Sequence, residues 1–364
     1  MPQPMKNNVA NSRIKISLGP ACTHRRHARL NALWTVAILV SSLLPQAVSA
    51  QTILKASPFG PPGHLLNKKI LQGWAESVGV ATEGRVKVEV LPAAVAPPPG
   101  ILEAIKNGQA DVSLLSNGAL KTKLVLNVMV EFAGQTPNSE TASVAYQRVV
   151  ERYPALADEF GDVQLLGGFT HGPGVLLLSR SGAAGKADFS ALTINAGGGG
   201  GAAVVQDLGA KPMMSAHPPK AEVLADGQAD GTITTIDSYT GFGLSDVVKA
   251  VVTTPNGFYT AGFAMVANSA KWRSLDARDK AAIVKVSGPV LSRLAGKAWD
   301  EGDSVALQKV REAGVPVSSL SIGQQTRFAA AGEQRKKAWL NALGAGAGQA
   351  ESALADYKKE TSTR

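Results

Sequence analysis

Short apolar runs typical of strands alternate with short helical runs in the middle of the chain, and the flanking sequence continues this alternation. Residues 188–239 give the order strand, glycine loop, helix, strand, loop, helix, strand. The clearest of these predicted elements are strand 192–195, helix 202–208, helix 221–225 and strand 232–236. Helices inserted between strands indicate parallel pairing through right-handed crossovers. The pattern therefore predicts an α/β fold.

Polar residues follow two of these predicted strands. Asn195 ends the first strand and precedes the glycine run 197–201, and residues 234–237 lie at the end of the last strand. Ligands of open α/β sheets bind beside the carboxyl ends of the strands. We therefore expect these residues at one edge of a sheet, around a ligand.

The segments before this stretch form a first α/β half. Its predicted elements are strands 52–56, 86–90 and 110–115, a helix that begins at His64, and short helix 101–105. Residues 86–90 alternate strictly between valine and a charged residue, which is typical of a half-buried strand.

Two connections join the halves, and a long helical region follows them. Residues 170–174 link strand 163–169 to strand 175–178, and we interpret this joint as the passage from the first half to the second. Strand 261–266 returns the chain to the first half. A long helical region then runs from Asp276 to Val310, broken at the Gly-Pro pair 288–289, because proline cannot continue a helix.

The first 50 residues have the composition of a secretory signal peptide. They contain six basic residues and no acidic one, an apolar run at 33–44, and the small-residue end Val-Ser-Ala before residue 51. The apolar run is shorter than the ~20 residues of a membrane-spanning helix, so cleavage after Ala50 is favoured over a membrane anchor. The pair Arg25-Arg26 leaves twin-arginine export open beside the general route.

Removal of this leader changes the charge of the chain. The remaining 31 basic and 28 acidic residues give a net charge of +3 instead of +9. The basicity of the full chain therefore comes mostly from the leader and does not indicate a nucleic-acid partner. The hydrophobic content of 45% excludes a disordered chain.

Six segments of the chain resemble the conserved motifs of one family. They are 83–90 (EGRVKVEV), 102–111 (LEAIKNGQAD), 188–195 (DFSALTIN), 208–213 (LGAKPM), 224–231 (LADGQADG) and 268–275 (NSAKWRSL). In order and spacing they resemble the DctP-type solute-binding subunits of tripartite ATP-independent periplasmic (TRAP) transporters. The resemblance covers residues 52 to about 343.

The resemblance implies a two-lobed periplasmic binding protein, with hinge strands, a long helix across both lobes, and a small organic solute held in the cleft. The implied partners are that solute and the TRAP membrane permease, without cofactor, metal or nucleic acid. The implied segments are signal peptide 1–50, lobe I 51–171 with about 261–295, lobe II 172–260 with about 296–345, and C-terminal surface tail 346–364.

The sequence departs from the family at its usual ligand contact. The arginine that ends the family's DLKGLKIR strand, and grips a carboxylate with two parallel bonds, is replaced by Asn195. A second arginine of some acid-binding members is also absent near Gly174. We therefore expect an atypical or neutral ligand. The alternative is an acid held by the backbone N–H groups of residues 197–201 at a helix start.

We predict eight ligand-contacting residues on this basis. They are Phe59, His171, Asn195, Gly197, His217, Thr234, Asp237 and Tyr239. Each has a structural alternative, such as capping for the asparagine and core packing for the aromatic residues. His64, His171 and His217 would also suit a metal ion, but their spacing is not that of a metal motif, so no metal is expected.

No catalytic motif is present after the leader. The sequence there contains no G-x-S-x-G, no H-E-x-x-H and no cysteine. We therefore expect a binding protein and not an enzyme. A subunit that presents its ligand to a membrane sensor is an alternative to the transport subunit, and a periplasmic enzyme is a weaker one.

Overall fold

The computed structural model describes residues 51–120, 122–132, 138–183, 188–196, 200–214 and 220–362. The predicted signal peptide and two of the predicted ligand contacts, Gly197 and His217, lie outside these residues.

Five strands form the first sheet, in the order β2-β1-β3-β10-β4. They are β1 (Thr52–Ser57), β2 (Val86–Val90), β3 (Val112–Ser116), β4 (Val163–Thr170) and β10 (Gly262–Asn268). Strand β1 pairs in parallel with β2 and β3, whereas β10 runs antiparallel to β3 and β4. The predicted return of the chain to the first half through β10 is therefore confirmed.

Six strands form the second sheet, in the order β11-β9-β5-β8-β6-β7. They are β5 (Gly174–Leu178), β6 (Thr193–Ala196), β7 (Lys211–Met214), β8 (Gly231–Thr235), β9 (Ala250–Thr253) and β11 (Val317–Ser319). Strand β6 lies between β7 and β8 and is parallel to both. The parallel pairing predicted for the central stretch is confirmed.

Helices cover the faces of both sheets. They are α1 (Gln72–Ala81), α2 (Ile101–Lys106), α3 (Ser139–Arg152), α4 (Pro154–Asp158), α5 (Gly200–Asp207), α6 (Lys220–Ala225), α7 (Ser238–Gly241), α8 (Ser269–Ser274), α9 (Ala277–Lys285), α10 (Pro289–Glu312), α11 (Ile322–Ala342) and α12 (Ala347–Ser362). A π-helical turn, Leu66–Leu71, leads into α1, and 3₁₀ turns occupy Asn117–Leu120, Asn127–Glu131, Ser181–Ala183 and Gly344–Gly346. In the part of the chain that the structure describes, no helix is both long and apolar enough to span a bilayer.

The helix ends follow the local sequence. The Asp276 side chain accepts a hydrogen bond from the amide of Arg278 and caps α9. Ser321 and Gln324 form a reciprocal capping box at the start of α11. Glycines 209 and 227, which follow α5 and α6, have φ of +78° and +68°, values that glycine adopts without steric cost.

Helix α10 runs through the apolar cores of both halves. Leu291, Ala295 and Trp299 pack in the core of the first sheet, whereas Ala306 and Val310 pack in a core of the second sheet. Two short connections, from β4 to β5 and from β9 to β10, also cross between the sheets. The predicted two-lobed fold with hinge strands and one long helix is confirmed.

The end of the chain is more firmly packed than the frayed or surface helix that the sequence suggested. Helix α12 buries Ala350, Ala353, Leu354 and Tyr357 against α3, and Tyr357 has no exposed surface. These positions follow the spacing i, i+3, i+4, i+7 of one helix face. The C-terminal segment therefore forms a helix with one buried face.

Candidate functional site between the lobes

Asn195 lies on β6, directly opposite Thr232 of β8, and is almost completely buried. The Thr232 hydroxyl donates a hydrogen bond to Oδ1 of Asn195 at 3.4 Å. Side chains alternate between the two faces of a strand, so Thr234 lies on the same face as Thr232. Asn195 and Thr234, which the sequence predicted at one sheet edge, are therefore neighbours on this face.

Lys220, at the start of α6, covers the same face of the sheet. Its Nζ donates a hydrogen bond to Oγ1 of Thr234 at 2.9 Å and lies 4.7 Å from the centre of the Phe242 ring. Burial lowers the pKa of the Lys220 ammonium to about 8, although the nearby Asp237 opposes this shift. Sequence reasoning missed this residue, because a single lysine at a helix start is normally a solvated side chain.

Asp237 joins the two lobes through a hydrogen bond. Its Oδ2 lies 3.0 Å from Nε2 of His64, a residue of the first lobe, and its Oδ1 accepts from the hydroxyl of Thr235. The amide of Leu66 donates to Nδ1 of His64, so Nε2 carries the hydrogen that His64 shares with Asp237. Both oxygens of this buried carboxylate are therefore committed within the protein.

A second carboxyl group, Asp303 of α10, lies against Asp237. Its Oδ1 accepts a hydrogen bond from the backbone amide of Asp237 at 3.1 Å. Burial, and then the charge of Asp237, raises the pKa of Asp303 to about 8. Asp303 is therefore largely protonated at neutral pH and adds little negative charge to the site.

His171 ties together the two connections between the sheets. Its Nε2 accepts from the amide of Ala261 at 2.9 Å, and its Nδ1 lies 2.6 Å from the carbonyl oxygen of Gly172. Burial lowers the pKa of the imidazole to about 4, so the ring is neutral. His171 thus lies at the junction of the lobes, where its ring nitrogens contact backbone groups of both connections.

Aromatic rings from both lobes meet around these polar groups. The Trp299 ring lies 5.5 Å from that of His64 and 5.8 Å from that of His171, measured between ring centres. Phe242 lies 5.0 Å from His64, and Tyr259 lies 5.1 Å from His171. The indole Nε1 of Trp299 is buried and has no hydrogen-bond partner among the described residues. We call Lys220, Phe242, His64, Trp299, His171 and Tyr259 the junction cluster.

The start of α5 faces an acidic side chain of the first lobe. Oε2 of the buried Glu131 lies 2.6 Å from the position that a Cβ would take at Gly200. The Glu131 and Asp237 charges, after burial, raise the pKa of the nearby Tyr259 phenol. A carboxylate of the protein therefore lies beside the helix start that the sequence analysis considered for an acidic ligand.

The comparisons with known proteins agree with this architecture. The family model for bacterial extracellular solute-binding protein family 7, DctP, matches residues 186–341. A TRAP periplasmic solute-binding protein from Bordetella bronchiseptica, with (R)- and (S)-mandelate bound, is 29% identical and has a TM-score of 0.79, covering 85% of this chain and 99% of that one. The chain is therefore similar to the DctP family of solute-binding proteins.

Two further relatives support this assignment. A marine metagenome TRAP solute-binding protein specific for aromatic acid ligands, in complex with 3-hydroxybenzoate, is 25% identical with a TM-score of 0.78 and covers 86% of this chain and 99% of that one. A Comamonas testosteroni protein named outer membrane transporter protein TsaT is 26% identical over 72% of this chain and 77% of its own length. The predicted TRAP resemblance and solute-binding class are confirmed.

The structure separates the described members of the predicted ligand contacts into three groups. Asn195, Thr234, Asp237 and His171 lie around the lobe junction. Phe59 lies 6.0 Å, ring centre to ring centre, from Phe263 in the first lobe. Tyr239 packs in a core of the second lobe with Leu244 and Val248, and Phe242 of the junction cluster packs against the same core. The ligand roles of all eight residues stay predictions.

The hydrogen bonds of the two described histidines bear on the metal alternative. His64 and His171 engage all four of their ring nitrogens with protein groups. A metal ligand needs a free lone pair on one imidazole nitrogen. No group of three potential ligands that would suit a metal ion occurs within the described ranges.

Proposed function

We propose that this protein is the periplasmic solute-binding subunit of a TRAP transporter and that its ligand is a small aromatic carboxylic acid. The observation that carries this proposal is the junction cluster, in which rings from both lobes pack together and one of them, Phe242, lies beneath the Lys220 ammonium. The Bordetella bronchiseptica relative holds mandelate, and the marine metagenome relative is specific for aromatic acids and holds 3-hydroxybenzoate. These ligands have in common an aromatic ring and a carboxylate.

The two parts of such a ligand suit different parts of the cluster. An aromatic ring gains from burial and from edge-to-face contact with other rings, at about 0.5–1.5 kcal/mol per pair beyond the area buried. Trp299 and His171 are already arranged in this tilted manner around His64 and Tyr259. The carboxylate would lie toward the polar side chains of the second lobe.

Capture then requires no chemical step. The ligand enters between separated lobes, and the lobes close about the hinge segments that His171 joins. Closure brings His64 to Asp237 and seals the ligand from water. The closed surface is the one that the membrane permease would recognise.

The route to this compartment is part of the same proposal. Residues 1–50 direct export and are removed near Ala50, which leaves the mature chain in the periplasm. The partners are the ligand and the TRAP permease subunits. A membrane sensor in place of the permease would use the same cleft.

Native mass spectrometry of the protein tests this proposal. The full chain is expressed with its own leader, purified from the periplasmic fraction, and examined for its amino terminus and for any ligand carried along. Binding of mandelate and 3-hydroxybenzoate is then measured by calorimetry beside their neutral amides, mandelamide and 3-hydroxybenzamide.

We expect a mature amino terminus near residue 51 and at least one aromatic acid bound about 10-fold or more tightly than its amide, a difference of about 1.4 kcal/mol. An amide that binds as tightly as its acid would overturn the acidic ligand. Binding of aliphatic acids alone would overturn the aromatic one. Turnover of the ligand would indicate an enzyme.

A further inference from the structure

We propose that Lys220 replaces the arginine of the family as the cation that holds the ligand carboxylate, with the indole N–H of Trp299 as a second donor. This inference rests on the proposed function, because it assumes an acidic ligand. The cation that binds the ligand carboxylate would then lie on helix α6 of the second lobe, whereas the family's arginine lies at the end of a strand.

The Lys220 ammonium has more N–H donors than hydrogen-bond partners among the described residues. An ammonium group has three N–H donors, and Thr234 is its one hydrogen-bond partner among the described residues. Within those residues, no carboxylate lies at ion-pair distance from Nζ. Lys220 is half-buried, and a partly desolvated charge without a counterion at ion-pair distance favours an added anion.

The acidic side chains nearby do not fill this need. Both oxygens of Asp237 are engaged, one by His64 and the other by Thr235. Asp303, with its raised pKa and its bond from the Asp237 amide, is mainly a neutral acid at pH 7. Because neither carboxyl group bonds to the Lys220 ammonium, the ammonium can bind an anion from outside the chain.

The position of Lys220 relates directly to the missing arginine. Asn195 occupies the arginine position and is paired in register with Thr232. Thr234, which accepts from Lys220, is two residues farther along β8 and on the same face. A ligand carboxylate bound beside Asn195 would therefore lie on the face of the sheet that Lys220 covers.

Trp299 supplies the second, independent observation. Its side chain is 3% exposed, and its Nε1 has no acceptor among the described residues. Trp299 contacts His64, which in turn contacts Phe242, the ring beneath the Lys220 ammonium. A carboxylate offers two oxygens with several lone pairs and accepts from more than one donor at a time. Lys220 and Trp299 are thus linked through the rings of Phe242 and His64, and each has an N–H donor available for an acceptor-only ligand group.

The test compares an acid with its own amide in variants of the full, exported protein. Lys220→Met removes the charge and keeps the length of the side chain, and Lys220→Arg keeps the charge. Lys211→Met is the matched control, because Lys211 is an exposed residue of β7 in the same lobe. The probes are 3-hydroxybenzoate and 3-hydroxybenzamide, and each variant is also checked by thermal unfolding.

We expect Lys220→Met to weaken binding of the acid by about 10- to 100-fold, since a hydrogen bond to a charged group contributes about 1.5–3 kcal/mol. Binding of the amide should change by less than about 3-fold, a difference below 1 kcal/mol. Lys220→Arg and Lys211→Met should stay close to wild type. Trp299→Phe should weaken binding of the acid by a smaller factor while the ring remains.

The outcomes separate this inference from the proposed function. If wild type binds the acid and Lys220→Met binds it equally well, Lys220 is not the carboxylate ligand and the proposed function stands. If wild type binds no aromatic acid, both are overturned. If Lys220→Met does not fold, Lys220→Gln is measured in its place, and an unchanged affinity for the acid would overturn the inference.

Discussion

The Nε2 atom of His64 and the Oδ2 atom of Asp237 lie 3.0 Å apart, although the two residues belong to different lobes. Their side chains are only 2% and 4% exposed, so the contact is shielded from solvent. His64 precedes the first helix of lobe I, and Asp237 follows β8 of lobe II. This hydrogen bond therefore links the two lobes directly.

Removal of either partner should destabilise the protein more than removal of both. His64→Leu leaves the buried Asp237 carboxylate without its partner, and breaking a buried pair in this way costs about 3–5 kcal/mol. We expect the double variant His64→Leu/Asp237→Asn to recover part of this loss. A double-mutant cycle of urea unfolding should give a coupling energy of about 1–3 kcal/mol. Strictly additive effects would show that the contact does not form in solution.

The raised pKa of Asp303 predicts that stability falls with rising pH. In the unfolded chain this carboxyl group ionises near its ordinary pKa of about 3.9, whereas burial holds its pKa at about 8 in the folded protein. Between these values the folded state binds the additional proton, so the stability that this group contributes decreases from about pH 4 to pH 8 and is constant above that.

Asp303→Asn should remove this dependence. The amide keeps the oxygen that accepts from the Asp237 amide and has no ionisation to suppress. We expect a higher melting temperature than wild type at pH 7.5, by roughly 1–4 °C for each kcal/mol gained, and a smaller difference at pH 5. Asp300→Asn is a useful comparison, because that carboxylate accepts from the first amides of α3 and its loss should destabilise. An Asp303→Asn variant that is less stable than wild type at pH 7.5 would contradict the prediction.

Gly296 allows close contact between α10 and α3. A Cβ at this position would lie within 2.7 Å of the Glu140 amide nitrogen and the Ser139 carbonyl oxygen, both backbone atoms that cannot rotate away. We expect Gly296→Ala to cost about 1–3 kcal/mol in urea unfolding, as overpacking does. Gly332→Ala, in the middle of α11 with open space around it, should instead stabilise by about 0.5–1 kcal/mol. Equal changes in stability at the two glycines would show that helix propensity alone, and not close packing, determines the effect of the alanine.

The sequence predicts the scaffold well because its signals are local. Strand β2 follows a period of two, β6 and β7 flank helix α5, which is followed by Gly209, and Asp276 caps α9 as expected. The buried face of α12 was also readable, since positions 350, 353, 354 and 357 follow a helical period. The charged residues of this segment obscure that face in the sequence.

The candidate site was only partly predictable, because its members come from distant segments. Asn195, Thr234 and Asp237 lie at or just beyond strand ends, where the α/β rule places ligand contacts. Asp303 and Trp299 are single positions in a 24-residue helix, and only the packing of that helix brings them to the junction. The role of Lys220 depends on what lies around its ammonium, which no sequence pattern encodes.

Helix α10 connects the two lobes as a single helix. The number of residues between its contacts with the two lobes is therefore constrained. Trp299 faces the first core and Ala306 the second, with one and a half to two turns between them. Each residue of an α-helix turns the chain by about 100°. Insertion or deletion of one residue between these positions would rotate the residues that pack in the core of lobe II by about 100° relative to those that pack in the core of lobe I. Natural length variation in this protein should therefore be confined to loops and excluded from this seven-residue interval.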